Sequence, residues 1–383
     1  MAQPQLLQVV SLADSDDEQA RVLATELRNY FARSKIWQYE RALGNGAYGV
    51  AVLLRQPDHV KGRGKRVVLK RALRNGAAEL RHEILVLKML RGSSHSAQML
   101  ACCEDLAAFA IPGRSIFGLT SQISTLLSRV KRLFYSPPNL QTVFRTLREL
   151  EGPAILQEYV ENGTLTDLQE RMKVKDIHLP NRVLWRFYLC LVRACVGLAY
   201  PPHRPEGSTP VLETIPTDGT PPGDLLHGDI AGRNIMIGDG FQELFEHWLT
   251  PELKMIDFGN ARESENRGEG PRENIYRVSI ELLRLINRGP VQTRAPRYVS
   301  VFNGIETAAT CILPVNGVPT FPKLCPVLRD LLVEALSTNK ANRPTLQQML
   351  QRTEQAVHKI PSPFLELPLP QVQDILQQLI YDV

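Results

Sequence analysis

Two short motifs in the second half of the chain constrain its fold more than any other sequence feature. His-Gly-Asp-Ile-Ala-Gly-Arg-Asn runs from His227 to Asn234, and Asp257-Phe258-Gly259 follows further along. Carboxylate and amide oxygens in such an ordered set are the side-chain ligands that a magnesium ion accepts. We therefore expect the fold to bring these two loops together.

Length and composition leave room for two lobes, each with its own hydrophobic core. The chain has 383 residues, of which 43% are hydrophobic and 22% are charged, an ordinary globular composition. Its formal net charge of +5 at pH 7 suits a polyanionic ligand such as a nucleotide. The positive excess is too small to indicate DNA or RNA, so we expect no nucleic-acid partner.

Cysteine usage and the apolar segments indicate an intracellular protein, cytoplasmic or nuclear. The six cysteines form no C-x-x-C pair, and no His cluster has zinc spacing, which favours buried free thiols in a reducing compartment. The longest apolar run, Phe187–Tyr200, is too short to cross a bilayer and contains Arg193. The N-terminus also lacks the basic start and apolar stretch of a secretory signal, so we expect no membrane association.

Apolar periodicity predicts a sheet and a helix in the first part of the chain. Residues 1–36 form an extension with an amphipathic helix, which the acidic run Asp14–Asp17 predicts to begin there. A strand, a glycine turn and a second strand follow at Trp37–Leu54. The β-branched segment Val67–Lys70 is then predicted to be a strand that ends at a lysine. The next segment has apolar residues at helical spacing.

The rest of the chain is predicted to be mostly helical, with two irregular segments. Residues Glu104–Gly152 show little periodicity and look like an insertion. Residues Pro201–Asp224 are rich in Pro, Gly and Thr, which predicts a mobile loop. The regular elements expected here are a buried strand at Ala154–Val160 and helices at Asn181–Tyr200 and Asn274–Asn287.

Three glycines in the first predicted hairpin have a spacing that favours phosphate binding. Gly44, Gly46 and Gly49 form G-x-G-x-x-G, whose backbone can approach a phosphate closely and offer it amide groups. An ordinary glycine hairpin and a dinucleotide-binding fingerprint are the alternatives. The dinucleotide fingerprint needs a helix directly after the glycines, yet the residues that follow have a strand pattern.

Lys70 lies at the end of a predicted strand, shortly after the glycines. A lysine at that place can neutralise nucleotide phosphates if a carboxylate holds it in position. Glu79 and Glu83 of the following helix share one face, because residues four apart in a helix lie above one another. The apolar spacing that follows Glu83 favours Glu83 over Glu79.

Three oxygen-bearing side chains carry the predicted chemistry. Asp229 would accept or orient the proton of an incoming hydroxyl, and Asn234 would hold a magnesium ion. Asp257, directly after a short strand, would bind the magnesium that bridges the phosphates. Each also has a purely structural explanation: Asp229 could be a turn residue, Asn234 a helix cap and Asp257 an acid at the end of a strand. Their order after the glycines and Lys70 favours phosphoryl transfer, and His227 is expected to support the loop rather than react.

In this order the motifs resemble those of the protein-kinase superfamily. The match runs through LGNGAYGVA, VVLK, the helix with Glu83, QEYVENGTLTDL, HGDIAGRN, IDFGNAR and NKANRPTLQQML, and it covers residues 37–355. The resemblance implies an α+β, bilobal protein-kinase-like fold with a small β-rich N-lobe and a larger helical C-lobe. The implied domains are an N-terminal extension (1–36), the N-lobe (37–160), the C-lobe (161–360) and a C-terminal tail (361–383).

The same resemblance implies ATP and Mg2+ as cofactors and assigns residues to them. Asp229, Lys70 and Glu83 would be catalytic, and Asn234 and Asp257 would hold the metal. The nucleotide-binding residues that it implies are Leu43, Gly44, Gly46, Gly49, Ala51, Lys70, Glu158, Val160 and Asp167. The residues that look like the gatekeeper and the buried arginine late in the helical lobe are Gln157 and Arg343.

Three departures from the family pattern bear on regulation and substrate. Gly228 stands where many protein kinases have an arginine, so switching by phosphorylation of the activation segment is not expected. The segment from Gly259 to the next helix is very short, and Pro271–Glu273 only faintly echoes the Ala-Pro-Glu before the peptide-docking stretch. Asn274 stands where the family's next helix normally offers an aspartate that braces the catalytic loop.

Three interpretations of function are compatible with these residues. The retained residues favour an ATP-dependent kinase that resembles Ser/Thr protein kinases and transfers the γ-phosphate to a hydroxyl acceptor, which we expect to be a protein. The His-Gly-Asp form also fits a small-molecule kinase of the aminoglycoside or choline kinase-like type. A nucleotide-binding pseudokinase scaffold is the third, since the N-terminal helix, the insertions and the C-terminal tail could hold a protein partner.

Overall fold

The structure, a computed structural model, has a mixed α+β architecture, which confirms the predicted class. The described residues are 4–34, 36–46, 49–56, 65–73, 76–103, 152–239, 245–291, 299–359 and 367–382, with the backbone alone at 4–16, 45–46 and 359. The predicted insertion lies outside them, except for Gly152. The chain divides into two compact units, Met1–Ile84 with Met99–Tyr159 and Leu85–Gln98 with Val160–Val383.

Eight α-helices and eleven strands occur in the described residues. The helices are α1 Pro4–Ala32, α2 Ala77–Met89, α3 Leu165–Val174, α4 Asn181–Ala199, α5 Gly270–Asn287, α6 Pro326–Ala335, α7 Leu346–Lys359 and α8 Leu369–Leu376. The strands are β1 Gln38–Gly46, β2 Gly49–Arg55, β3 Arg66–Ala72, β4 Met99–Cys103, β5 Ala154–Glu158, β6 Leu225–Leu226, β7 Ile235–Ile237, β8 Leu253–Met255, β9 Arg262–Glu263, β10 Ser300–Phe302 and β11 Ile305–Thr307. None of the helices in this part of the chain is long and apolar enough to cross a membrane.

The first unit contains a five-stranded antiparallel sheet with the order β1-β2-β3-β5-β4. β1 and β2 confirm the predicted strand–turn–strand, and β3 confirms the β-branched strand after it. Lys70 of β3 lies opposite Ala51 of β2 and Ile155 of β5. Because successive side chains of a strand point to opposite faces, Lys70 points away from the face that buries Leu69.

Helix α1 covers the buried face of this sheet. Leu27 and Phe31 of the helix belong to the same core as Val52 of β2. The helix begins at Pro4, so the predicted start at Asp14–Asp17 is wrong. The residues between these points contain no Gly and no further Pro, so nothing in the sequence stops the helix there. The second half of the N-terminal extension is therefore part of the core of the first unit.

Helix α4 organises the second unit and is buried along its whole length. Apolar residues occur on every side of this helix, which is typical of a helix in the interior of a protein. Helices α5 and α7 pack against it. β6 pairs with β9, and β7 pairs with β8, both antiparallel. The loop after β6 carries Asp229, and the loop after β8 carries Asp257.

Two segments of this unit test the sequence prediction. Helix α5 begins at Gly270 rather than at Asn274, because proline is well accommodated in a first helical turn, where backbone N–H groups need no helical partner. The segment Pro201–Asp224 contains no helix and no strand, as predicted, and it is anchored near its middle. Its Val211 N–H donates to the carbonyl oxygen of Gly92 at 2.9 Å, and the side chain of its Glu213 is buried.

Replacing Leu27 by Ala should lower the free energy of unfolding by about 2–4 kcal/mol, because truncating a buried leucine loses apolar burial and leaves a cavity. Leu27 is only 2% exposed. Val22→Ala on the same helix is the matched control, since Val22 is 53% exposed and its truncation should cost less than about 0.5 kcal/mol. Urea denaturation measures both values. Equal costs would mean that α1 does not pack on the sheet in solution.

Candidate active site

In the first unit, β3 and α2 hold the predicted lysine–glutamate pair. The ammonium of Lys70 donates to Oε1 of Glu83 at 2.7 Å, and the two side chains are 18% and 4% exposed. A carboxylate buried to this extent needs a charged partner, since an unpaired buried charge costs several kcal/mol. Oε2 of Glu79, the alternative candidate, is buried and has no hydrogen-bond partner among the described residues. The structure thus brings Lys70 together with the glutamate that the sequence favours.

The glycine motif spans the turn between β1 and β2, of which residues 47–48 lie outside the described part. Leu43, Gly44 and Gly46 lie on β1, and Gly49 and Ala51 lie on β2. A Cβ at Gly49 would lie 2.5 Å from the carbonyl oxygen of Arg71, so packing against β3 requires that glycine. No described atom lies within 4 Å of a Cβ placed at Gly44, so internal packing does not explain that one. A strand follows the glycines directly, which excludes the dinucleotide fingerprint, since that motif opens a helix.

The other nucleotide-binding candidates are divided between the units. Gln157 and Glu158 end β5 in the first unit, and Val160 is buried in the second. Asp167 lies in the first turn of α3, where its carboxylate accepts hydrogen bonds from the backbone N–H and the hydroxyl of Thr164, both at 2.8 Å. This capping box accounts for Asp167 without a ligand.

In the second unit, the loop between β6 and β7 gives the Asp229 carboxylate two side-chain donors. Nη2 of Arg233 lies 2.7 Å from both carboxylate oxygens, and Nδ2 of Asn234 lies 3.0 Å from Oδ2. Asn234 also donates to the backbone carbonyl of Asp229 at 2.9 Å. These contacts orient the carboxylate. The sequence does not predict the ion pair with Arg233, because the motif alone does not fix the conformation of that long side chain.

The oxygen atoms of Asn234 and Asp257 fit a magnesium site. The hydrogen bonds from the Asn234 amide to Asp229 use Nδ2, which leaves Oδ1 as the ligand atom. Asp257 has a left-handed backbone conformation with φ 65° and ψ 71°, which is uncommon for a residue with a side chain and clusters at functional sites. An amide oxygen and a carboxylate are ligands that Mg2+ accepts, with phosphates and water completing its coordination.

His227 connects the two motifs. Its Nε2–H donates to the carbonyl oxygen of Ile256 at 3.0 Å, and its Nδ1 accepts from the backbone N–H of Asp229 at 3.3 Å. The ring also packs on Phe258, with 4.8 Å between the ring centroids. Complete burial lowers the pKa of His227, which favours the neutral imidazole. The two hydrogen bonds agree, because only a neutral ring can donate through one nitrogen and accept through the other. These are the contacts of a supporting residue.

Asn274 braces the same loop from α5. Its Oδ1 accepts a hydrogen bond from the backbone N–H of His227 at 3.3 Å, and its Nδ2 donates to the carbonyl oxygen of Leu225 at 2.8 Å. An aspartate at this position could accept from His227 but could not donate to Leu225. The substitution of an amide for the usual carboxylate therefore keeps the brace and adds a donor to it.

Gly228 has no room for the arginine that many protein kinases carry at this position. Its backbone is left-handed, with φ +81°, and a Cβ would lie 2.0 Å from the carbonyl oxygen of Asn260. A side chain would thus be strained by the backbone and would collide with the segment after the Asp-Phe-Gly. The departure at Gly228 follows from the close approach of these two loops.

The segment between the second motif and α5 is short and is held by Asp224. The Asp224 carboxylate accepts from the N–H of Gly268 at 2.7 and 2.8 Å and from that of Gly270 at 3.1 Å. Its backbone carbonyl accepts from the N–H of Ser264 at 2.9 Å. Between Asn260 and Gly270 the chain forms only β9. The sequence places Asp224 at the end of a mobile loop, so this anchoring role was not predicted.

Pro271–Glu273, the residues that faintly resemble Ala-Pro-Glu, lie in the first turn of α5. Glu273 contacts Arg343, the arginine that was predicted to be buried. Oε2 of Glu273 lies 3.4 Å from Nη1 of Arg343. The Arg343 guanidinium lies over the ring of Tyr276, 4.1 Å from its centroid, and its Nε donates to the carbonyl of Ser337 at 2.9 Å. Arg343 thus ties the start of α5 to the turn before α7.

No known protein family matches this sequence, and no curated protein matches it at a significant level. The protein-kinase resemblance therefore stays a prediction from the motifs. Function must be inferred from the contacts of the side chains themselves.

Gly228→Ala should destabilise the protein more than Gly268→Ala, although the two glycines have nearly the same backbone conformation. Their φ angles are +81° and +79°, so a Cβ costs about 1–2 kcal/mol of backbone strain at either position. At Gly228 the Cβ would also collide with Asn260, whereas at Gly268 nothing lies within 4 Å. We expect Gly228→Ala to cost at least about 2 kcal/mol more by urea denaturation. Equal losses would contradict the close approach of the loops.

Proposed function

We propose that this chain is an ATP-dependent phosphotransferase with a bilobal protein-kinase-like fold, which transfers the γ-phosphate of ATP to a hydroxyl group. One observation carries the proposal: the imidazole of His227 joins the loop of Asp229 to the motif of Asp257. His227 therefore holds the loop of the proposed proton acceptor, Asp229, next to the motif of the proposed metal ligand, Asp257. Such rigid positioning is what phosphoryl transfer needs, since its catalysis is almost entirely positioning and electrostatic stabilisation.

The ion pair of the first unit supports ATP as the phosphate donor. Glu83 holds the ammonium of Lys70, so that the positive charge has a fixed place at which to meet the nucleotide phosphates. The glycine turn would add backbone N–H groups to the same phosphates. Gly44, which no internal contact requires, fits a position reserved for the approach of a ligand.

In the proposed reaction, the oxygen of the acceptor hydroxyl forms the new bond to the γ-phosphorus. Asp229 accepts the proton that this hydroxyl loses. The bond between that phosphorus and the ADP oxygen breaks, and ADP leaves. Asn234 and Asp257 would hold Mg2+, which when bound neutralises the phosphate charge. Arg233 shares the Asp229 carboxylate, but its side chain is 63% exposed and can shift to admit the hydroxyl without losing buried contacts.

The acceptor is proposed first as a Ser or Thr hydroxyl of a protein, on the strength of the resemblance and of Arg343. The short segment between Asn260 and Gly270 favours a second candidate, a small molecule with a hydroxyl group. That segment is fully described and forms no helix of its own, so it offers little on which a peptide would dock. The N-terminal helix and the C-terminal tail remain candidates for a protein partner.

Asp229→Asn should lower phosphate transfer by about 10²–10⁴-fold, because it removes the proton acceptor. The full chain is incubated with Mg-ATP labelled on the γ-phosphate, and the label is followed on the chain itself, on generic proteins and on hydroxyl metabolites. Asp239→Asn is the matched control, since Asp239 is an exposed aspartate of the same unit. It should leave the rate unchanged.

The acceptor that takes the label decides between the interpretations. Label on proteins supports the Ser/Thr candidate, whereas label on metabolites alone supports the small-molecule kinase. Thermal stabilisation by nucleotide with no transfer to any acceptor would leave a nucleotide-binding scaffold and contradict the proposed transfer. No nucleotide binding at all would contradict ATP as the donor.

Glu83→Gln should raise the KM for ATP at least about tenfold, because it leaves the Lys70 ammonium without its buried charge partner. Glu79→Gln is the matched control, one turn earlier on the same helix and with the same chemical change. Steady-state kinetics against ATP concentration gives both values, and thermal melting checks that both variants fold. A similar KM for the two variants would show that the Lys70–Glu83 pair does not serve nucleotide binding.

A further inference from the structure

Three side chains that are far apart in the sequence meet in the interior of the second unit. His95 follows α2, Cys190 lies in the middle of α4, and His247 ends a short 3-10 helix. All three are at most 1% exposed, and their potential ligand atoms lie within 4.8 Å of one another. These residues are too far apart in the sequence to form a metal-binding motif. The pattern of cysteines and histidines therefore indicated no metal site.

A buried carboxylate fixes the orientation of His95. Nδ1 of His95 lies 2.7 Å from Oε2 of Glu213, and the backbone N–H of His95 donates to Oε1 of the same carboxylate at 2.8 Å. Because a carboxylate only accepts, Nδ1 carries the hydrogen, and Nε2 is the nitrogen that a metal would bind in its deprotonated form. A carboxylate behind a histidine in this way is the usual support of a metal-bound imidazole.

The second ring nitrogen of His95 lies on the side of the Cys190 thiol, with which the ring interacts. This nitrogen, Nε2, is buried and has no partner at hydrogen-bond distance among the described residues. Buried polar atoms are nearly always paired with protein, water or an ion, so such an atom indicates a missing partner. Sγ of Cys190 lies 3.7 Å from Nδ1 of His247, and these two atoms complete the group of possible ligands.

We propose that His95, Cys190 and His247 bind a zinc ion in the interior of the second unit. Tetrahedral zinc, with bonds of about 2.3 Å to sulfur and about 2.05 Å to nitrogen, places a sulfur and a nitrogen ligand about 3.6 Å apart. The 3.7 Å between Cys190 and His247 agrees with that value. The widest pair, at most 4.8 Å apart, closes to about 3.3–3.6 Å on binding.

The chemistry of the three ligands favours zinc over magnesium or calcium. One thiolate and two imidazoles are the nitrogen and sulfur ligands that zinc takes, whereas the hard cations take oxygen. Binding releases to solvent any protons that Cys190 and the two histidines carry on their ligand atoms, since zinc binds the thiolate and the neutral imidazoles. These three residues supply three of the four ligands of a tetrahedral zinc site.

A zinc ion at this point would hold the strand that leads to Asp257. The carbonyl oxygen of His95 accepts a hydrogen bond from the N–H of Met255 in β8 at 2.8 Å. Arg193 of α4 makes the neighbouring contacts: its Nη2 lies 2.5 Å from Oε1 of Glu246, and its Nη1 donates to the carbonyl of Glu213 at 2.7 Å. The metal would therefore connect α4, β8 and the packed loop that carries Glu213.

The test is to measure metal on the full chain without ATP, so that its outcome is independent of phosphate transfer. Protein purified without chelators should contain one equivalent of zinc by mass spectrometry of the metal. After removal of that zinc, reconstitution with Co2+ should give the near-ultraviolet thiolate-to-cobalt charge-transfer band and the visible bands of tetrahedral cobalt. Added zinc should also raise the melting temperature of the metal-free protein.

Cys190→Ala should lose the charge-transfer band and the rise in melting temperature with zinc. Cys195→Ala is the matched control, since Cys195 is equally buried on the same helix but is not part of the cluster, and it should keep both. A wild-type protein that binds neither zinc nor Co2+ overturns the proposal and leaves a hydrogen-bonded thiol–imidazole cluster. A wild-type cobalt spectrum without the thiolate band overturns it too, whether or not the variants fold.

Discussion

The candidate site depends on one neutral imidazole. His227 donates to the carbonyl of Ile256, accepts from the N–H of Asp229 and packs on Phe258, so the two motif loops share a single support. A protonated ring could not accept from Asp229, and the burial that lowers the pKa of His227 therefore also preserves the geometry of the loop. Asn274 fixes the backbone of His227 in turn. The loops of Asp229 and Asp257 are thus held together through their backbones, by a side chain that takes no part in the proposed chemistry.

The three positions at which the sequence differs from the protein-kinase pattern lie around one short, closely packed segment. Because the carbonyl of Asn260 lies over residue 228, only glycine fits there. Because the segment then turns directly into α5, the helix starts against Asp224, where a Cβ at Gly270 would lie 2.6 Å from the Asp224 carbonyl oxygen. Asn274, in the next turn of that helix, contacts the residues around His227 with an amide that both accepts and donates.

Local patterns in the sequence predicted local structure well. A glycine turn and β-branched residues predicted the strands around Lys70, and helical spacing predicted the face that carries Glu83, so their contact could be expected. Helix starts were predicted less well, since Asp14–Asp17 and Asn274 look like helix starts but lie inside longer helices. Contacts between distant segments that no motif connects, such as that of Asp224 with Gly268, could not be predicted, because the sequence does not record which loops pack together.

The loop Pro201–Asp224 shows how a polar segment can be anchored at a few buried points. A segment rich in Pro, Gly and Thr buries little apolar surface, and from the sequence it should therefore move. Here buried polar contacts replace apolar burial: Glu213 accepts from Ser93 and His95, and Arg193 donates to its carbonyl. Buried charges are stable only when they are fully paired. The proposed zinc ion would join that network through Nε2 of His95, at the point where Glu213 anchors the loop.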